Sequence, residues 1–258
     1  MNYLRAGLDA MFSSEISMDD ARVRVPGNLA IRLSTVFGNR RIHRLMDPFL
    51  TPGAVVVDVG ANIGINTVYV AQRVGPRGRV WAVEPAADNL AVLRENVERN
   101  GLRNVTIAPV AAGRTSETRQ FFLRGDISAV NSFYEESVYA EVTDVVTVQS
   151  EPLDMLVEGN VDLVKIDVEG AELDVLGGMT RLLRSPRIRL VVEWHPLLQE
   201  KAGYAANALP LALVDMGFEL QAASHSSVRP VARHNIQGLV EQLKRSGRPV
   251  DLLATRTS

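Results

Sequence analysis

The 258-residue chain contains no cysteine, which excludes disulfides, thiolate metal sites and a thiol nucleophile. Groups that attack or move protons must therefore be oxygen or nitrogen. Lysine is almost as scarce: of 28 basic residues, only Lys165, Lys201 and Lys244 are not arginine, a bias of composition that carries no function by itself. Basic charge is not in surplus either. The 30 acidic residues leave a formal charge of −2, so no overall field gathers a polyanion, and a nucleic-acid partner is not expected. No segment approaches the roughly 20 apolar residues of a membrane span. Met1 to Ser14 lacks the basic start, long apolar centre and small-residue cleavage site of a signal peptide, so a cytoplasmic protein is expected. Internal repeats and low-complexity tracts are absent. With 46% hydrophobic and 22% charged residues, the chain can bury a full core as one large domain with an extension.

What is present concentrates first in Val55-Val56-Val57-Asp58-Val59-Gly60-Ala61-Asn62-Ile63-Gly64. The valines are β-branched and apolar on both faces, as in a central strand covered by helices on both sides. Gly60 permits a tight turn and close approach of the backbone to a ligand. Gly64 opens a helix whose unpaired N–H groups favour electron-rich ligand groups. A dinucleotide fingerprint needs G-x-G-x-x-G, and Asn62 stands where its second glycine belongs, which would crowd a pyrophosphate. Glu84 ends the next apolar run, 20 residues past Gly64, the separation at which an acid accepts hydrogen bonds from ribose hydroxyls. The pattern therefore predicts a nucleoside without phosphate. The plain alternative makes Asp58 and Glu84 strand-end caps and Gly60 and Gly64 simple turn residues, with no ligand between them.

Around this segment strands and helices alternate. Strands are predicted over 55–59, 79–84, 104–110, 117–123, 143–148, 161–167, 188–194, 218–223 and 250–255, seven of them in the main sheet, with helices over 64–75, 87–100, 171–184 and 205–216. Helical crossovers between buried strands predict an α/β fold with a doubly wound, mostly parallel seven-stranded sheet, whose ligands lie at the strands' carboxyl ends. Residues 1–50 form an N-terminal extension of helix, hairpin and helix, and 51–258 the main domain. In the extension Leu4 to Phe12 has helical spacing, Val23 and Val25 alternate with Leu29, Ile31 and Leu33 about Pro26-Gly27-Asn28 as in a hairpin, and Arg40 to Leu50 reads as a helix. This extension is open to three roles: a lid, a homo-oligomer contact, or a packing appendage.

The second informative segment is Val164-Lys165-Ile166-Asp167-Val168-Glu169-Gly170-Ala171-Glu172. In a regular strand Lys165, Asp167 and Glu169 project to one side. A lysine in an apolar strand needs a partner, and the two carboxylates are the nearest candidates. A buried ion-pair network that only orients the strand end is the alternative to a catalytic role. Together with Asp58 to Gly64 and Glu84-Pro85, this segment resembles the FkbM family of class I S-adenosylmethionine-dependent methyltransferases, over about Val55 to Glu193.

The resemblance implies a Rossmann-like fold, S-adenosyl-L-methionine as cofactor, and O-methylation of a small-molecule hydroxyl on a sugar, glycolipid or polyketide-type natural product. Asp58 and the turn residues Gly60, Ala61, Asn62 and Gly64 would then serve the methionine part, Glu84 and Pro85 the ribose, and Ala111 and Ala112 the adenine. Asp167 could take the cofactor's amino group. Methyl transfer is an in-line displacement, so positioning dominates. An alcohol must also lose its proton to a base within hydrogen-bond reach. Asp167, Glu169, Glu193 and His195 all qualify, and His195 is preferred because its unperturbed pKa of about 6.5 suits neutral pH. Its alternative is a cap on the next helix. Asp167, Glu193 and His195 could also hold a divalent metal, Mg²⁺ rather than Zn²⁺, but a metal is not predicted.

Acceptor choice is expected in 125–140, with Asn131, Ser132, Phe133, Tyr134 and Tyr139, and in 222–235, with His225 and His234. Two other function classes remain at this level. A protein or nucleic-acid methyltransferase lacks support from basic surplus or from an Asn/Asp-Pro-Pro-aromatic turn, and an NAD-dependent oxidoreductase would need Asn62 to tolerate pyrophosphate.

Overall fold

Strands that are apolar on both faces need a helical layer on each side, and the crossovers supply both. The chain is described by a computed structural model over residues 14–18, 21–27, 29–124, 131–138, 140–223 and 227–256. The N-terminal part comprises β1 (Glu15–Met18), β2 (Ala21–Arg24) and α1 (Leu29–Met46). There follow β3 (Val55–Val59), α2 (Ile65–Val74), β4 (Arg79–Val83), α3 (Ala87–Arg99), β5 (Val105–Ala108), β6 (Ala111–Ala112), β7 (Glu117–Leu123) and β8 (Asp144–Glu151). The second half holds α4 (Leu153–Leu156), β9 (Leu163–Ile166), α5 (Glu172–Gly177), β10 (Arg189–Trp194), α6 (Pro196–Lys201), α7 (Ala208–Asp215), β11 (Glu219–Ala223), β12 (Val228–Val231), α8 (Ile236–Ser246) and β13 (Val250–Thr255).

The main sheet has the order β12-β11-β13-β10-β9-β3-β4-β5. Strands β5, β4, β3, β9 and β10 pair in parallel, while β13 lies antiparallel between β10 and β11. The predicted α/β sheet is thus present and mostly parallel, with β12 added as an eighth strand on the edge beside β11. Its sequence hides it, because Pro230 interrupts the ladder donors and only an edge strand accepts proline. From β3 the chain winds to β4 and β5 on one side, and from β9 to β10 on the other. The order reverses between β3 and β9, and a crevice opens there beyond their carboxyl ends.

Alternation divides the strand residues between two apolar layers. Val57, Val59, Val164, Ile166, Leu190, Val192 and Trp194 join one cluster, whereas Val56, Leu163 and Val191 join Val68, Val80 and Leu45 in the other. A second sheet, β6-β8-β7, stands beside the first. The predicted strand 104–110 ends early because Pro109 has no N–H to donate, and Ala111–Ala112 pairs instead with Ser150–Glu151. The predicted helix 171–184 is likewise shorter, stopping at Gly177 before a single 3₁₀ turn over Leu182–Arg184.

The N-terminal part corrects the hairpin reading. Its strands are Glu15–Met18 and Ala21–Arg24, and Leu29, Ile31 and Leu33 belong to α1. Leu29 and Leu33 stand four apart, so the helical period wins over the short alternation. The predicted helix Leu4 to Phe12 lies outside the described residues. What is described is fastened to the sheet domain: Arg24 N donates to Asn96 Oδ1 (2.7 Å), and Asn96 Nδ2 donates to Arg24 O (3.0 Å). His43 of α1 stacks on Tyr69 with ring centroids 3.5 Å apart, and its Nε2 lies 3.0 Å from Asn66 Oδ1. Among the described residues no helix is long and apolar enough to cross a membrane.

Leu163 is fully buried at the centre of the sheet. Leu163→Ala should cost about 2–5 kcal/mol through lost burial and the cavity left behind. Equilibrium unfolding in urea measures it; a change below about 1 kcal/mol would mean that this face is not close-packed.

Candidate active site

The site begins with an ion pair inside the sheet. Asp58 on β3 and Lys165 on β9 are register partners in parallel strands, with side chains 1% and 2% exposed. Lys165 Nζ lies 3.3 Å from Asp58 Oδ1 and 3.4 Å from Asp167 Oδ2, and it donates to Gly60 O at 3.0 Å. Asp58 Oδ2 accepts Thr67 Oγ1–H at 2.6 Å, which ties the pair to α2. Burial alone would lower the lysine pKa, but the Asp58 and Asp167 charges outweigh it and hold it raised. The ammonium therefore stays charged. The expected row of Lys165, Asp167 and Glu169 is corrected here: β9 ends at Ile166, and Glu169 adopts φ +54°, which takes it off the pleat. The second partner of Lys165 is Asp58, on the neighbouring strand.

The turn after β3 is shaped by close approach. Gly60 has φ +73°, and a Cβ there would sit 1.9 Å from the Asp167 carbonyl oxygen. Gly64, at φ +89°, faces Leu93 of α3, with Cδ1 2.5 Å from where a Cβ would lie. Between them Asn62 takes the left-handed conformation, φ +50°, which asparagine tolerates better than most residues. Its N–H donates to Glu84 Oε2 at 2.9 Å. Glu84 Oε1 accepts Ala86 N–H at 3.0 Å and Asn89 Nδ2–H at 3.1 Å. Burial raises the Glu84 carboxyl against the pull of these bonds.

These residues face a cavity at the switch point. Gly60, Asn62, Glu84 and Pro85 form one wall, Ala111, Ala112, Phe121 and Phe133 a second, and Asp167, Val168, Glu169 and Ala171 a third. Of the predicted site residues, Gly60, Asn62, Glu84, Pro85, Ala111, Ala112, Asp167 and Glu169 are brought together. Asp58, Ala61, Gly64 and Lys165 are not on the lining and support it from behind. Phe121 and Phe133 meet edge to face, centroids 5.6 Å apart at 83°. Phe133 was expected among acceptor residues and lies on the same cavity as Glu84. Phe121 was missed: it is one of three successive apolar residues, Phe121-Phe122-Leu123, at the end of β7, and the one of them that is buried. Buried Arg124 pins the segment that carries Phe133, donating to Tyr134 O (2.5 Å) and Glu135 O (2.9 Å). Tyr139 and His225 lie outside the described residues, and His234 stands on an exposed turn.

His195 is not on the lining. Its ring is buried, and Nδ1 accepts Leu197 N–H at 3.3 Å as the N-cap of α6. Burial lowers its pKa. The reason is local: β10 ends at Trp194, Pro196 starts the helix, and the residue between them becomes the cap. The expected trio of Asp167, Glu193 and His195 is likewise altered, since the oxygens that lie within 4.8 Å of one another are those of Asp167, Glu169 and Glu193. Burial first, then repulsion from Asp167, pushes both Glu169 and Glu193 well above the usual carboxylate range. Glu169 Oε2 is buried without a hydrogen-bond partner among the described residues. Behind it, Glu172 accepts Gly170 N–H (2.9 Å) and Gln199 Nε2–H (2.6 Å), and burial pushes its carboxyl from 4.5 to about 7.

A family model for the methyltransferase FkbM domain matches residues 58–220. The hexuronic acid methyltransferase AglP of Haloferax volcanii is 32% identical over 168 residues, 64% of this chain and 65% of that protein. The AMB antimetabolite synthetase AmbE of Pseudomonas aeruginosa is 26% identical over 226 residues, 72% of this chain but 10% of that one. A protein-L-isoaspartate O-methyltransferase of Aeropyrum pernix is 41% identical over 73 residues, 28% of this chain and 27% of its own length. The chain thus spans less than two thirds of each of these relatives. A crystal structure named methyltransferase FkbM, from Methylobacillus flagellatus, aligns at a TM-score of 0.48 with 16% identity, covering 88% of this chain and 52% of the other.

Two outcomes test this geometry. Gly60→Ala should destabilise the fold by about 3 kcal/mol or more, because the new Cβ meets backbone rather than a movable side chain; unfolding free energy measures it. Glu172 has its pKa raised on folding, so its contribution is fully present below pH 4.5 and is lost as pH rises through about 7. Glu172→Gln should flatten that slope and stabilise the protein at pH 8 by roughly 1–3 kcal/mol, with little effect at pH 4.5. Urea titrations at the two pH values decide it.

Proposed function

Because the chain belongs to the methyltransferase FkbM domain family, we propose that it binds S-adenosyl-L-methionine in the Glu84 cavity and methylates a hydroxyl of a small-molecule acceptor. The observation that carries this reading is the meeting of Glu84, the Gly60 turn and Asp167 on one cavity beyond the sheet's switch point. At Gly60 the missing side chain lets the turn pack directly on the Asp167 carbonyl, so the turn and Asp167 border one cavity, and Glu84 presents a buried carboxylate beside them, which together suit a nucleoside.

Bound there, S-adenosyl-L-methionine supplies an electrophilic methyl group. Glu84 accepts the ribose hydroxyls while its bonds from Asn62, Ala86 and Asn89 keep it in place. Ala111, Ala112, Phe121 and Phe133 offer an apolar slot for the adenine. Asp167, oriented by Lys165, receives the amino group. Glu169 is the base: a carboxyl that burial raises above its ordinary range holds an abstracted proton better than an ordinary one, and its Oε2 has no competing bond among the described residues. As the acceptor oxygen takes the methyl group, its proton passes to Glu169. His195 is left to cap α6. The relative named hexuronic acid methyltransferase supports a carbohydrate among the acceptor classes of sugar, glycolipid and polyketide-type product.

Calorimetry with S-adenosylhomocysteine should show saturable binding, weakened about tenfold or more by Glu84→Gln through loss of a charged acceptor. NAD should not bind. Saturable NAD binding without S-adenosylhomocysteine binding would overturn the reading.

A further inference from the structure

The sheet's carboxyl edge continues past the cofactor cavity. Antiparallel β13 starts where its neighbours end, so Val250 pairs with Trp194, and Asp251 pairs with both Glu193 and Ala223. Beyond this stretch of edge lies a groove of about 660 Å³, bordered by β11, β12, α8 and the α8–β13 connection, with α1 at its inner end. That volume suits a sugar-sized ligand. Arg41, Arg229 and Arg248 line it, and among the described residues no acidic one does. In a chain of net charge −2 this is a local concentration of positive charge.

The three arginines differ in their engagement. Arg41 Nε lies 3.1 Å from Asp251 Oδ2, with Asp251 95% buried. Arg229 and Arg248 are exposed, and their guanidinium groups have no ion-pair or hydrogen-bond partner among the described residues. Two guanidinium groups without partners at the rim of a concave surface are donors that only an anion satisfies bidentately. The floor between them is mixed, with Val231 and Leu239 beside Asn235 and Gln242, as in a site for an amphipathic ring. The inner end is joined to the reacting end through one register step: Arg41 holds Asp251, and Asp251 pairs with Glu193, whose carboxylate stands in the cluster with Asp167 and Glu169.

We propose that this groove is the anchoring end of the acceptor site and that Arg229 and Arg248 select acceptors carrying an anionic group, a carboxylate or a phosphate ester, at one end of a carbohydrate body. The proposal rests on the methyltransferase reading above. Strand β12 stands three strand spacings, about 14 Å, from β10, so an acceptor anchored by its anion at the rim is longer than one sugar ring and runs along the edge toward Glu193 and Glu169, and a monosaccharide fills only its anchoring end. Selection then comes from charge at the rim, away from the atoms that react.

The test is binding of D-glucuronate, D-glucose 6-phosphate and neutral D-glucose to the full chain saturated with S-adenosylhomocysteine, followed by saturation-transfer NMR and calorimetry. At least one anionic sugar should bind saturably and more tightly than glucose, and the two anionic arms tell carboxylate from phosphate. In the Arg229→Gln/Arg248→Gln double variant its affinity should fall about tenfold or more, with S-adenosylhomocysteine affinity unchanged. Glucose binding as well as both anions, full affinity retained in the double variant, or no saturable binding of either anion would each overturn the proposal. Failure of S-adenosylhomocysteine itself to bind would instead count against the methyltransferase reading.

Discussion

A single buried ammonium organises the strand ends that border the switch-point cavity. Lys165 stands in the middle of an apolar strand and meets Asp58 across the β3–β9 pair, Asp167 on its own chain, and the carbonyl of Gly60 in the turn. Such a pair is a weak source of net stability, because the desolvation of two charges offsets most of their attraction. Its effect is positional. Removing either partner leaves an uncompensated charge, so the strands are held in the one register that satisfies both. The turn carrying Asn62 and the loop carrying Glu169 are thereby fixed relative to each other before any ligand arrives.

The layers outward from that ammonium take on successively softer tasks. Asp58, Thr67 and Lys165 are wholly buried and define geometry. Glu84, Asn62 and Asp167 face the cavity while their backs are bonded to the scaffold, which is how a site stays preorganised without a ligand to hold it. Phe121 comes from β7 of the smaller sheet and Phe133 from the segment after it, which Arg124 fixes from behind. Carboxylates crowd beside the switch-point cavity and arginines at the far groove, so opposite signs of charge divide the edge along its length.

How much of this was legible in the sequence follows from the range of the interactions concerned. Val55 to Gly64 and Val80 to Glu84 form strand, turn and helix through local constraints, so their pattern predicted both the elements and the cavity they border. The charged segment from Lys165 to Glu172 announced a site for the same reason. The partner of Lys165 was not legible, because Asp58 is its neighbour only by parallel pairing, and the left-handed backbone at Glu169 breaks the alternation on which the expected row depended. His195 misled because its residue type suits proton transfer, whereas the adjoining Pro196 sets its role as a cap. Phe121 and the groove arginines were invisible, since one of three successive apolar residues at the end of β7 and arginines in an arginine-rich chain gain meaning only once the sheet is assembled. The eighth strand was hidden by Pro230, and the hairpin was misplaced where two periodicities overlap.

The insertion of β13 between β10 and β11 has a temporal side. Arg41, near one end of the chain, finds Asp251, near the other, and the strand bearing Asp251 fills a slot between two strands made earlier. Until that segment emerges from a ribosome, β10 and β11 have unpaired inner edges, open to any extended chain nearby. Contacts so distant in sequence are slow to close. The half of the sheet around β3, β4 and β5 is complete in sequence early, while the half beside β10 closes only when β13 arrives.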